Sequence, residues 1–121
     1  MTASTPAYLE AGPPSAKTCL VFLHGIGGGK KGFQSSVDFF EKQGFRALAW
    51  DMPGYGESQA HDTLSFESLA ASLETMLDAA HVEKAVLIGH SMGGMVALQA
   101  WTQCPSRIAG LVVAASSPAF G

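Results

Sequence analysis

The residues best placed to do chemistry are Gly89-His90-Ser91-Met92-Gly93, which match the pattern G-x-S-x-G. The spacing has a steric reason. A serine at the tip of a very tight strand-to-helix turn holds a strained backbone conformation, and a side chain two positions either side of it would strike backbone. Glycine at positions 89 and 93 lets the Ser91 hydroxyl stand clear. The N-terminal end of the helix that follows points at the same spot and favours negative charge developing on an oxygen. Five residues of this kind are common by themselves. Their context is what speaks: the apolar run KAVLI precedes them and MVALQAW follows, so the expected chemistry is nucleophilic attack by Ser91.

A second set competes. Gly27, Gly29 and Gly32 fit G-x-G-x-x-G between a strand and a helix. Asp51 ends the next strand, 24 positions after Gly27, close to where a dinucleotide-binding module places its ribose-binding acid. His24-Gly25-Ile26 interrupts the approach to the first glycine, however, and Pro53-Gly54-Tyr55-Gly56 is an unusual continuation after the acid. A phosphate-binding loop fits less well, with His at 24 where glycine is needed and Lys at 31 where Ser or Thr is needed. His90 adjoins Ser91, but neighbours in a tight turn point in different directions, which makes it a poor base for that hydroxyl. His61 and His81 fall in or near loops and are expected in solvent.

These residues need strands and helices to hold them. Thr18–Leu23 is an unbroken apolar run, as in a strand buried on both faces. A Gly-rich loop, Gly25–Gly32, leads to a helix over about 35–43 with Val37 and Phe40 inward, ended by Gly44. Phe45–Trp50 reads as the second strand and Asp51–Ser58 as a loop. Ser65 suits an N-cap, and Phe66, Leu69, Ala70, Leu73, Met76, Leu77 and Ala80 form one helical stripe. Lys84–Ile88 is the third strand, Gly89–Gly94 a sharp turn, Met95–Gln103 a helix stopped by Pro105, and Ile108–Ala115 the fourth strand. Tyr8-Leu9-Glu10 could add an edge strand within a polar segment, residues 1–17. The alternation predicts an α/β fold, a parallel sheet with helices on both faces, over residues 18–121. His24, Asp51 and Ser91 fall just beyond strand ends, where chemistry gathers in such sheets.

HGIGGG, DMPGYGES and GHSMGG, in that order, resemble the α/β-hydrolase superfamily, from about Tyr8 to the last residue. Within it the chain is most similar to bacterial 3-oxoadipate enol-lactonase-like proteins and pimeloyl-carrier-protein methyl ester esterases. The resemblance implies hydrolysis of a carboxylic ester, lactone or related acyl bond, without metal or organic cofactor. Ser91 would form an acyl-enzyme. The backbone N–H groups of Met92 and Ile26 would bind the oxyanion. Asp51 would anchor backbone N–H groups rather than serve as the catalytic acid, and His24 would pack locally. Carbon–carbon bond hydrolysis by the same serine turn stays open, whereas a dehalogenase would need a carboxylate at position 91. Phe33, Trp101 and Phe120 could line an apolar pocket or belong to plain core.

One departure matters. The family follows its serine with an acid and then a histidine, and the thirty residues after Ser91 contain no Asp, Glu or His. A serine hydroxyl without a base is a weak nucleophile. The chain is therefore expected to be the first half of a longer fold, cut after the strand that follows the serine's helix, and inactive alone. A non-catalytic binding or interaction fragment is the other expectation. The last strand would then form a raw apolar edge, and the isolated chain would be poorly soluble or partly molten.

Composition bounds the partners. Apolar residues make up 47% of 121 and charged residues 14%, enough to bury a core. A net charge of −3, with Lys30-Lys31 as the sole basic pair and expected on a solvated loop, gives no footprint for nucleic acid or an anionic membrane. Cys19 and Cys104, 85 positions apart, fit no metal spacing and read as buried thiols. Residues 1–8 lack the features of a signal peptide, and no apolar stretch reaches membrane-spanning length. The expected setting is cytoplasmic, with a small acyl substrate as partner and oligomeric state open.

Overall fold

Unbroken apolar runs can be buried on both faces only if layers cover each side of a sheet, and that is how the chain is arranged. The computed structural model describes residues 5–16, 18–58, 60 and 65–114. Five strands form one sheet: β1 (Tyr8–Ala11), β2 (Cys19–Leu23), β3 (Arg46–Trp50), β4 (Ala85–His90) and β5 (Ile108–Ala114). Their spatial order is β1-β3-β2-β4-β5. Every pairing is parallel except β1 with β3, where Tyr8 faces Trp50 and Ala11 faces Ala47. The expected remnant strand is real, and it ties the N-terminal segment into the same sheet. Three helices cover the faces: α1 (Gln34–Lys42), α2 (Phe66–Ala79) and α3 (Met92–Gln103).

β2 and β3 are buried at every residue, as their composition requires. Val21, Leu23, Leu48, Trp50 and Leu87 meet Leu69, Leu73, Met76 and Leu77 of α2 and Val96, Ala97 and Ala100 of α3 in the larger core. Leu20, Phe22, Ala47 and Ala49 face the other way, against Val37 of α1 with Phe33 and Phe40. β5 lies at the sheet edge, with Val112 51% and Val113 45% exposed. Arg107, which precedes it, donates to the carbonyls of Val82 (2.7 Å) and Glu83 (2.8 Å) and to Asp78 (2.8 Å), tying the start of β5 to the end of α2.

The helix ends follow local rules. Ser65 caps α2 by accepting the Ser68 N–H, and the Ser68 hydroxyl accepts the Ser65 N–H, a reciprocal box. α1 ends on Gly44 at φ 92°, with Gly44 N–H donating to Glu41 and Phe45 N–H to Phe40. α2 ends the same way on a non-glycine: exposed His81 holds φ 57°, its N–H donates to Asp78, and Val82 N–H donates to Leu77. His61 lies outside the described residues.

Two boundaries differ from the sequence reading by more than one residue. β4 continues past Ile88 through Gly89 and His90, which pair with Val113 and Ala114. α3 starts at Met92 rather than Met95, so Gly93 and Gly94 are helical. Glycine is a poor helix former, and that disguised the true start. Both are buried by close approach, Gly93 to the end of β2 and Gly94 to Val113. Among the described residues no helix is long and apolar enough to cross a membrane.

Candidate active site

Ser91 sits between the last residue of β4 and the first of α3, at φ 60° and ψ −119°. This is neither helix nor strand backbone, and it costs an L-residue energy that the surrounding structure must offset. The restraints are visible. Ser91 N–H donates to Ala114 O at 3.0 Å, and Ser91 O accepts the Gly94 N–H at 2.9 Å. A Cβ at Gly89 would lie 2.4 Å from Gly93 O, and one at Gly93 would lie 2.1 Å from Leu23 O. A Cβ at Gly25 would lie 2.8 Å from the Ser91 Cβ and 3.3 Å from its Oγ. Gly89 and Gly93 thus let the turn close and Gly25 leaves room beside the half-exposed Ser91, whose hydroxyl among the described residues has no hydrogen-bond partner.

The hydroxyl opens on a cleft of about 580 Å³. Its floor and wall come from the loop after β2, residues 24–29, with Gly32, Phe33, His90 and Ser91. Gly28 N–H donates to Gly25 O at 3.0 Å and Gly27 holds φ 82°, so residues 25–28 form a tight turn whose third residue needs glycine. Ile26 stands second in that turn, its side chain 75% exposed. Met92 is the first residue of α3, so its N–H belongs to the helix's first-turn donors that lack intrahelical partners. Its half-buried side chain packs on the larger core, away from the cleft.

His24 is buried and fully engaged. Its Nε2 accepts the Met52 N–H at 2.9 Å, so that nitrogen carries no proton. Nδ1 is then the protonated one and donates to Gly25 O at 2.9 Å. The ring also meets Tyr55 edge-on, centroids 5.1 Å apart. With both nitrogens committed, His24 is no base for Ser91. His90 is exposed beside Ser91 and makes no bond to it.

Lys30 departs most from expectation. It is 7% exposed, not solvated, because the 3₁₀ turn Lys30–Phe33 folds it back onto Asp51. The Asp51 carboxylate accepts the Lys30 N–H (2.8 Å) and ammonium (2.7 Å) and the Glu57 N–H (3.0 Å). The ammonium also reaches the exposed carboxylate of Glu57. Hydrogen bonds to Asp51 and then Glu57 hold the Lys30 pKa above its ordinary value. Burial alone would raise that of Asp51, but the bonds from Glu57 N–H and Lys30 outweigh it and hold the carboxyl below its ordinary value. Gly56, at φ 51°, is required here, since a Cβ would lie 2.3 Å from Asp51 Oδ2.

This arrangement argues against the dinucleotide reading, because Asp51 is buried out of reach of a ribose and its carboxylate already takes three hydrogen bonds from Lys30 and Glu57. Phe33 does both, lining the cleft and packing on the smaller core with its ring centroid 5.1 Å from that of Phe22 at a 31° tilt. Trp101 does not: it is 54% exposed on the outer face of α3, neither pocket nor core. Phe120 lies outside the described residues. Cys19 and Cys104 are buried thiols, and burial pushes Cys19 up to about 11.

Residues 18–121 match the family model of the alpha/beta hydrolase fold. The chain belongs to the α/β-hydrolase family. An sn-1-specific diacylglycerol lipase of Danio rerio is 37% identical over 104 residues, which is 85% of this chain and 33% of the lipase. A pimeloyl-acyl-carrier-protein methyl ester esterase of Edwardsiella ictaluri (strain 93-146) is 40% identical over 106 residues, 88% of this chain and 39% of the esterase. A solved marine microorganism esterase superposes with a TM-score of 0.83 at 27% identity, covering 90% of this chain and 41% of its own. The chain thus spans about a third to two-fifths of the length of these relatives. The matches support the superfamily at the level of esterases, lipases and epoxide hydrolases, and they do not single out the enol-lactonase branch.

Proposed function

We propose that Ser91 is the nucleophile of a serine hydrolase acting on a carboxylic ester, a lactone or a related acyl bond, with the N–H groups of Ile26 and Met92 binding the oxyanion. The observation that carries this reading is the Ser91 backbone, φ 60° and ψ −119° at the β4–α3 junction, with its hydroxyl open to the cleft. Nothing in a packed core requires a polar residue to bear that strain, and a nucleophile presented to a substrate does. The esterase and lipase names among the relatives support the bond class. Small cytoplasmic ester and lactone hydrolases are the subclass we favour.

In this reading Ser91 Oγ attacks the carbonyl carbon and loses its proton to a histidine. The carbonyl oxygen takes the negative charge and is held by the two N–H groups and the positive end of α3. Collapse expels the alcohol, which takes the proton from the histidine, and water deprotonated by the same histidine then releases the acid. The histidine and its carboxylate have no counterpart among the thirty residues after Ser91. The complete activity therefore needs a histidine and a carboxylate from outside these residues, which would supply the nucleophile and the oxyanion site.

Two measurements test it. The 121 residues alone should hydrolyse p-nitrophenyl acetate no faster than their Ser91→Ala variant. The full-length gene product should be labelled by a fluorophosphonate at Ser91, and labelling that survives Ser91→Ala would overturn the assignment.

A further inference from the structure

The loop that bears Ile26 is made largely of glycine. Gly25, Gly27, Gly28 and Gly29 account for four of the five residues between His24 and Lys30. Such a segment has more freedom to lose than any other, and an oxyanion donor works only if it is held before charge develops. One internal hydrogen bond, Gly28 N–H to Gly25 O, spans it. Its ends are different. At one, His24 accepts the Met52 N–H and donates to Gly25 O. At the other, Lys30 gives both its N–H and its ammonium to Asp51. Met52 and Asp51 are adjacent, so both ends of the loop are fastened to one point just past β3. Asp51 is itself fixed, its N–H donating to Ala7 O at 2.8 Å and its carbonyl accepting the Ser58 hydroxyl.

We infer that Lys30 and Asp51 form a clamp that positions the Ile26 N–H, so that Lys30 is a positioning residue of the site. Three features argue for a built device. The ammonium is buried, which is costly unless its partners are close and well aimed. The same carboxylate takes main chain and side chain of one residue, which fixes both the backbone and the side-chain torsions of Lys30. Gly29 passes so close that a Cβ would lie 3.2 Å from Asp51 Oδ1, and Gly56 leaves room on the other side. Glu57 adds a second carboxylate, but its side chain is 75% exposed and the charge is screened. The clamp is the Asp51 bond.

The inference rests on the reading of Ile26 as an oxyanion donor, and its test needs no turnover. Amide hydrogen exchange by NMR on the full-length gene product reports the Gly28, Gly32 and position-30 amides separately from those of β2 and β4. Lys30→Met should speed exchange of the three loop amides about tenfold or more while leaving the strands unchanged. Lys30→Arg should restore much of the protection, and Glu57→Gln should change little. Leu73→Ala, which only loosens the core, should instead speed the strand amides. If Lys30→Met does not fold, Asp51→Asn reads the same bond from its other end. Loop exchange that stays at the wild-type rate, or rises only in step with the strands, overturns the clamp. In the full-length gene product Lys30→Met should lower kcat about tenfold with KM nearly unchanged. A Ser91 that resists fluorophosphonate while the clamp behaves as stated would sink the function and leave the clamp standing.

Discussion

Alanine at Gly93 and at Gly94, made one at a time, separates a constrained turn from an ordinary helix start. Both positions lie in the first turn of α3, so both gain the same helix preference over glycine, up to about 1 kcal/mol. Their surroundings differ. The Gly93 Cβ would meet Leu23 O at 2.1 Å, Leu23 C at 2.6 Å and His24 O at 2.7 Å, all backbone atoms of β2 and its end. Bringing 2.1 Å to the 3.4 Å of ordinary contact moves α3 off the sheet by more than an ångström. Overpacking of this kind costs about 3 kcal/mol, so Gly93→Ala should lose about 2 kcal/mol net. The Gly94 Cβ would be crowded by the Val113 Cγ1 at 2.7 Å, on a half-exposed side chain that can rotate away, and would sit at ordinary contact distance, 3.5 Å, from Gly89 O. Gly94→Ala should be near neutral or slightly stabilising. The gap of about 2–3 kcal/mol corresponds to about 8–18 °C between the two melting temperatures, read by far-UV circular dichroism and checked by urea unfolding. Two variants that melt together would show that α3 does not press on β2 as described, and the strained Ser91 backbone would lose its main support.

His81→Gly relieves a left-handed residue at the end of α2 and should raise stability by about 1 kcal/mol in urea, as Gly44 already does at the end of α1; a loss would mean the His81 ring makes contacts that matter. Ser65→Ala removes the bond from the Ser68 N–H to the Ser65 hydroxyl, leaves the one from the Ser65 N–H to the Ser68 hydroxyl, and should cost about 1 kcal/mol by the same assay. Stability should also follow pH through the clamp. The folded Asp51 carboxyl titrates below its ordinary 3.8, so its contribution is complete above that value and fades as pH falls further. The folded Lys30 titrates above 10.5, so its contribution is complete below that value and fades as pH rises further, and Lys30→Met should lose that alkaline limb. Cys19, pushed up by burial to about 11, should resist iodoacetamide at pH 8 until urea unfolds the chain, and rapid native modification would contradict its burial.

The strands were legible because burial on both faces leaves no polar alternation, and CLVFL and RALAW carry that mark. The turn at Ser91 was legible because its glycines answer to sterics that hold in any such turn. The α3 start at Met92 was hidden, since helical glycine is chosen by contacts with β2 and β5 that lie far off in sequence. Lys30 was misread for the same reason. A lysine within KK after a run of glycines looks solvated, and only the fold brings Asp51, 21 positions on, to meet it. One sign was present: Asp51 at a strand end, inside a loop with glycine at 56, was read as an anchor for backbone N–H groups. What it anchors could not be read locally.

The hydrogen bond from Ser91 N–H to Ala114 O has a temporal consequence. Ser91 is held in place partly by a strand made after it. At ordinary elongation rates the ribosome needs about 1–5 s to proceed from Ser91 to Ala114, before allowing for passage through the exit tunnel. During that interval the nascent chain carries the serine without one of the bonds that set its angle. Ser91 can therefore take up its full set of restraints only once β5 has emerged and docked, so the residue and the bond that helps set its angle are separated in time.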